Sequence, residues 1–315
     1  MQFGRGILSE DVWNLYETIK ADLKGNTLKI IMEKPYFSDS VASYLHDGRG
    51  NYKIYITPGH LTDYIFSHEL LHVYIKVNGL LPNLISFGEN ISDTSRYIAM
   101  LFSDAIEHKW IIKEQRQRAI TGEKEYVDKC IDNLINQIYV ETGKASEDFL
   151  LINYLFAFMN DYPEHIGRYI EIIREKYPFS VACAYELLNE QPEAISPYHL
   201  RRYIIKEINK LIELFFKDNI NCNFIKEEIV VKPVFREAQR NVLAEALLGI
   251  SGKSGIYYFY TAADSQKCCP DFTGNIQSLS QGRSMLSKKT VGEVFDEIKL
   301  PHYIDDRNGT WVRHN

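Results

Sequence analysis

Two histidines four residues apart, His68 and His72, with Glu69 directly after the first, are the part of this chain best suited to chemistry. Four residues make about one helical turn, so on a helix both imidazoles project from the same face. Two neutral imidazoles placed this way can hold one zinc ion at about 2.0–2.1 Å each. Glu69 occupies the adjoining side of the helix, where a carboxylate reaches water beside the ion without binding the ion itself. Zinc lowers the pKa of its water from about 15.7 to about 7, so a nearby carboxylate can take the proton and pass it to a leaving amine.

A catalytic zinc takes three protein ligands and keeps one position open. The best source of the third is Ser103-Asp104-Ala105-Ile106-Glu107-His108, where Asp104, Glu107 and His108 share one helical face between apolar flanks. Two assignments stand. In one, His108 completes a three-histidine site and Asp104 supports an imidazole from behind. In the other, Glu107 or Asp104 binds the ion and His108 lies nearby. His108 is preferred, then Glu107, then Asp104. Solvent exposure of Glu107 and His108 is the plain alternative, and the apolar flanks argue against it.

The pattern His68-Glu69-Leu70-Leu71-His72 resembles the HExxH motif of the zincin metallopeptidases, and the resemblance covers about residues 1 to 118. It implies a zinc cofactor, Glu69 as general base, and a strand beside the motif helix that takes substrate as an added strand. Tyr52 to Ile56 is one strand to which that role would fall. The layout is gluzincin-like, with an atypical third-ligand helix. Gluzincins carry a Glu ligand there, often with an Asp four residues later, whereas here Asp104 precedes His108. The metzincin extension is absent after His72, where Val73 to Asn78 supplies neither the Gly nor the His.

Apolar spacing predicts a helix over Ser9 to Leu23, then strands at Leu28 to Met32, Val41 to Leu45 and Tyr52 to Ile56. The last two are joined through Asp47-Gly48, a hairpin signal. The motif helix is expected from Thr62 to Val77 with Gly79 as its stop, and a second helix from Ser92-Asp93 through Trp110 toward Arg118. Tyr126 to Phe216 reads as helices broken near Gly143, at Pro163, at Pro178 and around Pro192 to Pro197. Further on, the pattern predicts a helix from Phe235 to Leu248, a glycine-rich turn and a strand at Ile256 to Tyr260. A polar stretch from Ala262 to Lys288 and a short helix at Val291 to Ile298 complete the chain.

Other features carry less chemistry. His46 and His60 read as solvated loop histidines. The 21 tyrosines offer too many choices for an oxyanion donor to be named. Gly252-Lys253-Ser254 resembles the end of a phosphate loop, but the required earlier glycine is Leu247. His199, Arg201, Arg202, Lys206 and Lys210 read as the solvated face of an amphipathic helix.

The 315 residues, 45% hydrophobic and 25% charged, describe an ordinary globular protein with a sizeable core. A formal net charge of −6 argues against nucleic acid or an anionic membrane as partner. Five scattered cysteines (Cys130, Cys183, Cys222, Cys268 and Cys269) without a CxxC predict free thiols and a cytoplasmic location. No signal segment or membrane span is expected.

The expected fold class is α+β: a small antiparallel or mixed sheet with an HExxH active-site helix, followed by a mainly helical body. The expected divisions are 1–120 as a zincin-like catalytic core, 121–234 as a helical region and 235–315 as a mixed C-terminal region. The expected function is zinc-dependent hydrolysis of a peptide or protein. The rivals are a zinc-binding regulatory or scaffold protein without proteolysis, working with a protein partner, and a zinc hydrolase acting on a small amide.

Overall fold

The computed structural model describes residues 6–36, 40–88, 91–136, 139–188, 196–253, 255–268, 276–300, 302–305 and 311–314. The fold is mixed α+β. In chain order the first elements are α1 (Glu10–Asp22), β1 (Leu28–Ile31), β2 (Ala42–His46), β3 (Tyr52–Ile56), α2 (Asp63–Asn78), β4 (Ile85–Phe87) and α3 (Asp93–Gln117). A run of helices follows: α4 (Glu123–Asn136), α5 (Phe149–Asp161), α6 (Pro163–Ile166), α7 (Ile170–Lys176), α8 (Pro178–Leu188), α9 (Pro197–Lys217) and α10 (Phe224–Glu228). The remainder is β5 (Ile229–Val231), β6 (Val234–Arg236), α11 (Glu237–Arg240), β7 (Leu248–Lys253), β8 (Ile256–Thr261), α12 (Leu279–Lys288), α13 (Val291–Ile298), β9 (His302–Asp305) and β10 (Trp311–His314).

The chain forms two compact units from interleaved stretches. The first comprises Met1–Leu81, Asp104–Val140 and Ala157–Pro178. Its three-stranded sheet has the order β1-β3-β2, with β1 parallel and β2 antiparallel to β3. The β2–β3 turn is held by the Asp47 carboxylate, which accepts from the backbone N–H groups of Arg49 (2.7 Å) and Asn51 (3.1 Å) and from Asn51 Nδ2 (2.7 Å). Against the sheet, α1 and α2 bury Val12, Leu15, Ile19, Phe66, Leu70 and Val73 with Ile54 and Ile56 of β3.

α2 positions the motif. Thr62 caps its start, accepting from the Ile65 N–H at 3.2 Å. Gly79 ends it in the left-handed conformation at φ 59°, which glycine adopts without strain. Tyr64, Phe66, Leu70, Leu71, Val73 and Ile75 are all buried, and they do not share one stripe, so the helix is enclosed on most sides. Polar groups on such a helix must find partners inside the protein.

The second unit comprises Pro82–Ser103, Glu141–Phe156 and Phe179–Asn315. β4 pairs antiparallel with β5, β9 lies between β6 and β10, and β7 with β8 forms a hairpin. The pairing of β4 with β5 joins segments more than 140 residues apart in sequence, which local periodicity does not reveal. The helix expected from Phe235 to Leu248 is replaced by β6, the single turn α11, a short 3₁₀ turn at Ala244–Ala246 and the start of β7. Phe235 instead enters the strand paired with β9. The expected glycine-rich turn is strand β7, in which Gly249 and Gly252 leave room for the rings of Tyr260 and Tyr257 across the hairpin. The phosphate-loop resemblance therefore lies on a hairpin, with Ser254 outside the described residues. The stretch expected to be irregular contains α12, capped by Ser278. No disulfide joins Cys130, Cys183, Cys222 and Cys268 to one another, and Cys269 lies outside the described residues. Among the described residues no helix is long and apolar enough to cross a membrane.

Arg201, expected on the solvated face of α9, is only 6% exposed. Its guanidinium donates to Lys232 O at 3.0 Å and Thr261 Oγ1 at 3.1 Å and pairs with the Asp264 carboxylate. Burial would raise the Asp264 pKa, but the bonds and charge of Arg201, with Thr261 and the Gln266 N–H, outweigh it and hold the carboxyl below its ordinary value. A carboxyl lowered in the folded state contributes stability above its unfolded pKa of about 3.9 and loses it as pH falls through the folded value. Asp264→Asn is expected to lower stability at pH 7 by about 3 kcal/mol and to flatten the acid limb of a denaturation midpoint-versus-pH curve. A variant curve parallel to wild type down to pH 3 would contradict this.

Candidate metal centre

Within the first unit, His68 and His72 stand one turn apart on α2, and α3 brings His108 against them. One ligand nitrogen from each of the three lies within 4.8 Å of the others. The ring centroids are separated by 5.0 Å (His68–His72), 4.8 Å (His68–His108) and 5.2 Å (His72–His108). Each pair of rings is steeply inclined, at 61–76°, so the imidazoles surround a shared centre and do not stack.

Two of the rings are aimed from behind by carboxylates. His72 Nδ1 lies 3.0 Å from Glu107 Oε2, and His108 Nδ1 lies 2.8 Å from Asp161 Oδ2. Since Nδ1 faces the carboxylate in each case, Nε2 is the nitrogen left to face the centre. Glu107 is further held by an ion pair with Lys76, one turn beyond His72 on α2. Asp161 ends α5, and its other oxygen accepts from Asn160 Nδ2 at 2.7 Å, while the same amide donates to Ala105 O of α3 at 3.2 Å. The Tyr64 and Tyr162 hydroxyls, 2.9 Å apart, add a bond between α2 and the residue after Asp161.

The electrostatics follow from burial and these pairs. Burial opposes ionisation of Glu107, but the hydrogen bonds and charges of His72 and Lys76 outweigh it and bring its pKa down to about 2. For His108 burial acts to lower the pKa, and Asp161 overrides it, raising the value to about 9. Burial, reinforced by the other two imidazoles, holds His68 well below its ordinary value, so this ring is neutral. Glu69, 8% exposed, is raised by burial, against the opposing charges of His72 and His108. Asp104 is likewise raised by burial, within the field of His108 and His72. Four carboxyl groups, of Glu69, Asp104, Glu107 and Asp161, lie around the three imidazoles, and Lys76 pairs with Glu107.

The donor set fits zinc: three imidazoles with their nitrogens close together, and carboxylates behind two of the rings. Of the residues singled out from sequence, His68, His72 and His108 come together and Glu69 lies beside them. Glu107 is engaged by His72 and Lys76, and Asp104 stands outside the close group of nitrogens. His46 is exposed, accepting the Gly50 N–H at 3.2 Å and stacking on Tyr52 in the hairpin. His60 is partly buried just before α2.

Three neighbours escaped sequence reasoning. Tyr44 of β2 stacks on His72 with ring centroids 5.0 Å apart. Burial, then the nearby carboxylates, push its phenol upward, so it remains a hydrogen-bond donor. Asp161 lies 53 residues from His108 and carries no local signal. Lys76 continues the i, i+4 series of His68 and His72, a spacing that could have drawn it in. No family model, curated protein or solved structure matches this chain.

Glu107→Gln and Asp161→Asn are each expected to weaken zinc binding about 10–100-fold in competition with a chromophoric chelator, with helical content retained. Wild-type affinity in both would mean that the rings are aimed by packing alone.

Proposed function

We propose that this chain is a zinc-dependent hydrolase, with His68, His72 and His108 as the metal ligands and Glu69 as the general base, acting on peptide bonds. The observation that carries the reading is the convergence of three imidazole nitrogens within 4.8 Å, two of them backed by carboxylates on Nδ1. When bound, zinc supplies Lewis acidity that polarises a carbonyl and brings water into its deprotonation range near neutral pH.

The chain's own residues would do the rest. Glu69 follows His68 and so stands beside the ligand face, where an Oε takes a proton from water and returns it to the leaving nitrogen. Its raised pKa brings it closer to that task than an ordinary carboxylate. Tyr44, above His72, offers a phenolic proton to developing negative charge on the substrate.

The edge of the sheet offers a binding mode for an extended peptide. β3 (Tyr52–Ile56), the strand expected to receive substrate, is central and paired on both sides, so it has no open edge. β2 is the antiparallel edge strand beside α2. Thr57 N bonds Val41 O and Asp47 N bonds Asn51 O, which sets the ladder so that Ala42, Tyr44 and His46 turn their backbone groups away from β3. A substrate strand laid along that edge gains backbone hydrogen bonds near Glu69.

Metal analysis of the purified chain is expected to give one zinc per molecule, lost on replacing His68, His72 or His108 by Ala. Glu69→Gln is expected to retain zinc while hydrolysis of a peptide library falls about 10²–10⁴-fold. Undiminished cleavage by Glu69→Gln would remove the mechanism. Stoichiometric zinc with no cleavage of any peptide by wild type would favour a zinc-binding regulatory protein.

A further inference from the structure

Among the described residues, no carboxylate backs His68 as Glu107 and Asp161 back the other two imidazoles, and Gln115 is the group placed to take that role. Gln115 lies on α3 seven residues beyond His108, two helical turns, and therefore on the same face. It is 0% exposed. Both amide protons are in use: Nε2 donates to Tyr64 O and to Ser67 Oγ, each at 2.8 Å. Ser67 in turn donates to Tyr64 O at 3.1 Å.

These bonds fix which way the amide faces. A backbone carbonyl can only accept, so the group facing Tyr64 O must be the NH₂, and the flipped amide would set two acceptors against each other. Oε1 is turned to the opposite side. There it is buried and lacks a partner at good geometry, while the His68 ring is within hydrogen-bonding reach of the Gln115 side chain. A buried amide oxygen left in that state is unfavourable, and the imidazole N–H is the donor at hand.

We propose that Gln115 is the positioning residue for His68: its Oε1 accepts the Nδ1 proton, fixing the tautomer that leaves Nε2 facing the common centre. This rests on the zinc reading and extends it. All three rings then present Nδ1 to the protein, two to carboxylates and one to a neutral amide. The chemistry of the clamp explains the amide. A carboxylate at 115 would set an acceptor against Tyr64 O, and only NH₂ can satisfy that carbonyl and Ser67 Oγ together while leaving an oxygen for His68.

The test uses the full chain, metal-free and zinc-loaded, as wild type, Gln115→Met and Ser67→Ala. Long-range ¹⁵N–¹H NMR reads the His68 tautomer, and chelator competition reads zinc affinity. Metal-free wild type is expected to carry the His68 proton on Nδ1. Gln115→Met, similar in size but without the oxygen, is expected to shift the proton toward Nε2 and weaken zinc binding about 10–100-fold. Ser67→Ala loosens the clamp but keeps Oε1, so it should hold the Nδ1 tautomer and lose less affinity than Gln115→Met. A purely structural role for Gln115 would lower the melting temperature and leave the tautomer unchanged. The proposal is overturned if wild-type His68 carries its proton on Nε2, or if Gln115→Met leaves the tautomer as in wild type. Wild type that binds no zinc would defeat the metal reading instead, and the metal-free tautomer would still decide the role of Gln115.

Discussion

Three imidazoles brought to one centre inside a mostly buried helix pair constitute the constraint on which the rest of this structure turns. His72 is 4% exposed and Glu69 8% exposed, on a helix enclosed on most sides. Polar groups held this far from water are unfavourable unless each has a partner. The surrounding elements supply those partners. α3 provides Glu107 and His108, α5 ends on Asp161, and the edge strand β2 supplies the Tyr44 ring against His72. Packing and polar pairing are solved together.

Charge distribution sharpens the point. Glu107 is kept anionic between an imidazole and Lys76, so His72 is oriented by a carboxylate that is itself neutralised. Asp161 orients His108 and is braced by Asn160. For Glu69 and Asp104 burial outweighs the opposing charges of the nearby histidines and pushes both upward. The centre therefore combines fixed supporting carboxylates with others whose charge is unfavourable until something positive or protic is near.

Much of this was legible in the residues. The i, i+4 spacing of His68 and His72, the Thr62 cap and the Gly79 stop placed both imidazoles on one helical face, and the structure has α2 within one residue of the expected ends. Strands β1, β2 and β3, with the hairpin at Asp47-Gly48, also followed from local pattern, because β-branched and aromatic runs between turn residues read clearly. Asp104, Glu107 and His108 were visible as a cluster, but sequence could not say which of them meets the two imidazoles of α2. Spacing gives the face of a helix, whereas the side chain that reaches the centre depends on how α3 crosses α2. The C-terminal region was misread for the complementary reason. Phe235 to Leu248 has apolar residues at helical intervals, yet β6 is recruited by β9, which lies far outside any local window, while Leu248 enters the adjacent β7–β8 hairpin.

Sequence alone thus determined the two imidazoles, their one-turn spacing and the helix that carries them, since those depend on backbone geometry within a few residues. Tertiary structure decided that His108 joins them, that Glu107 backs His72, that Asp161 arrives from 53 residues away, and that β2 is an edge strand while β3 is central. Each of these is a meeting of groups from different elements. Such meetings are fixed by the packing of whole helices and the pairing order of strands, which no short stretch of residues encodes.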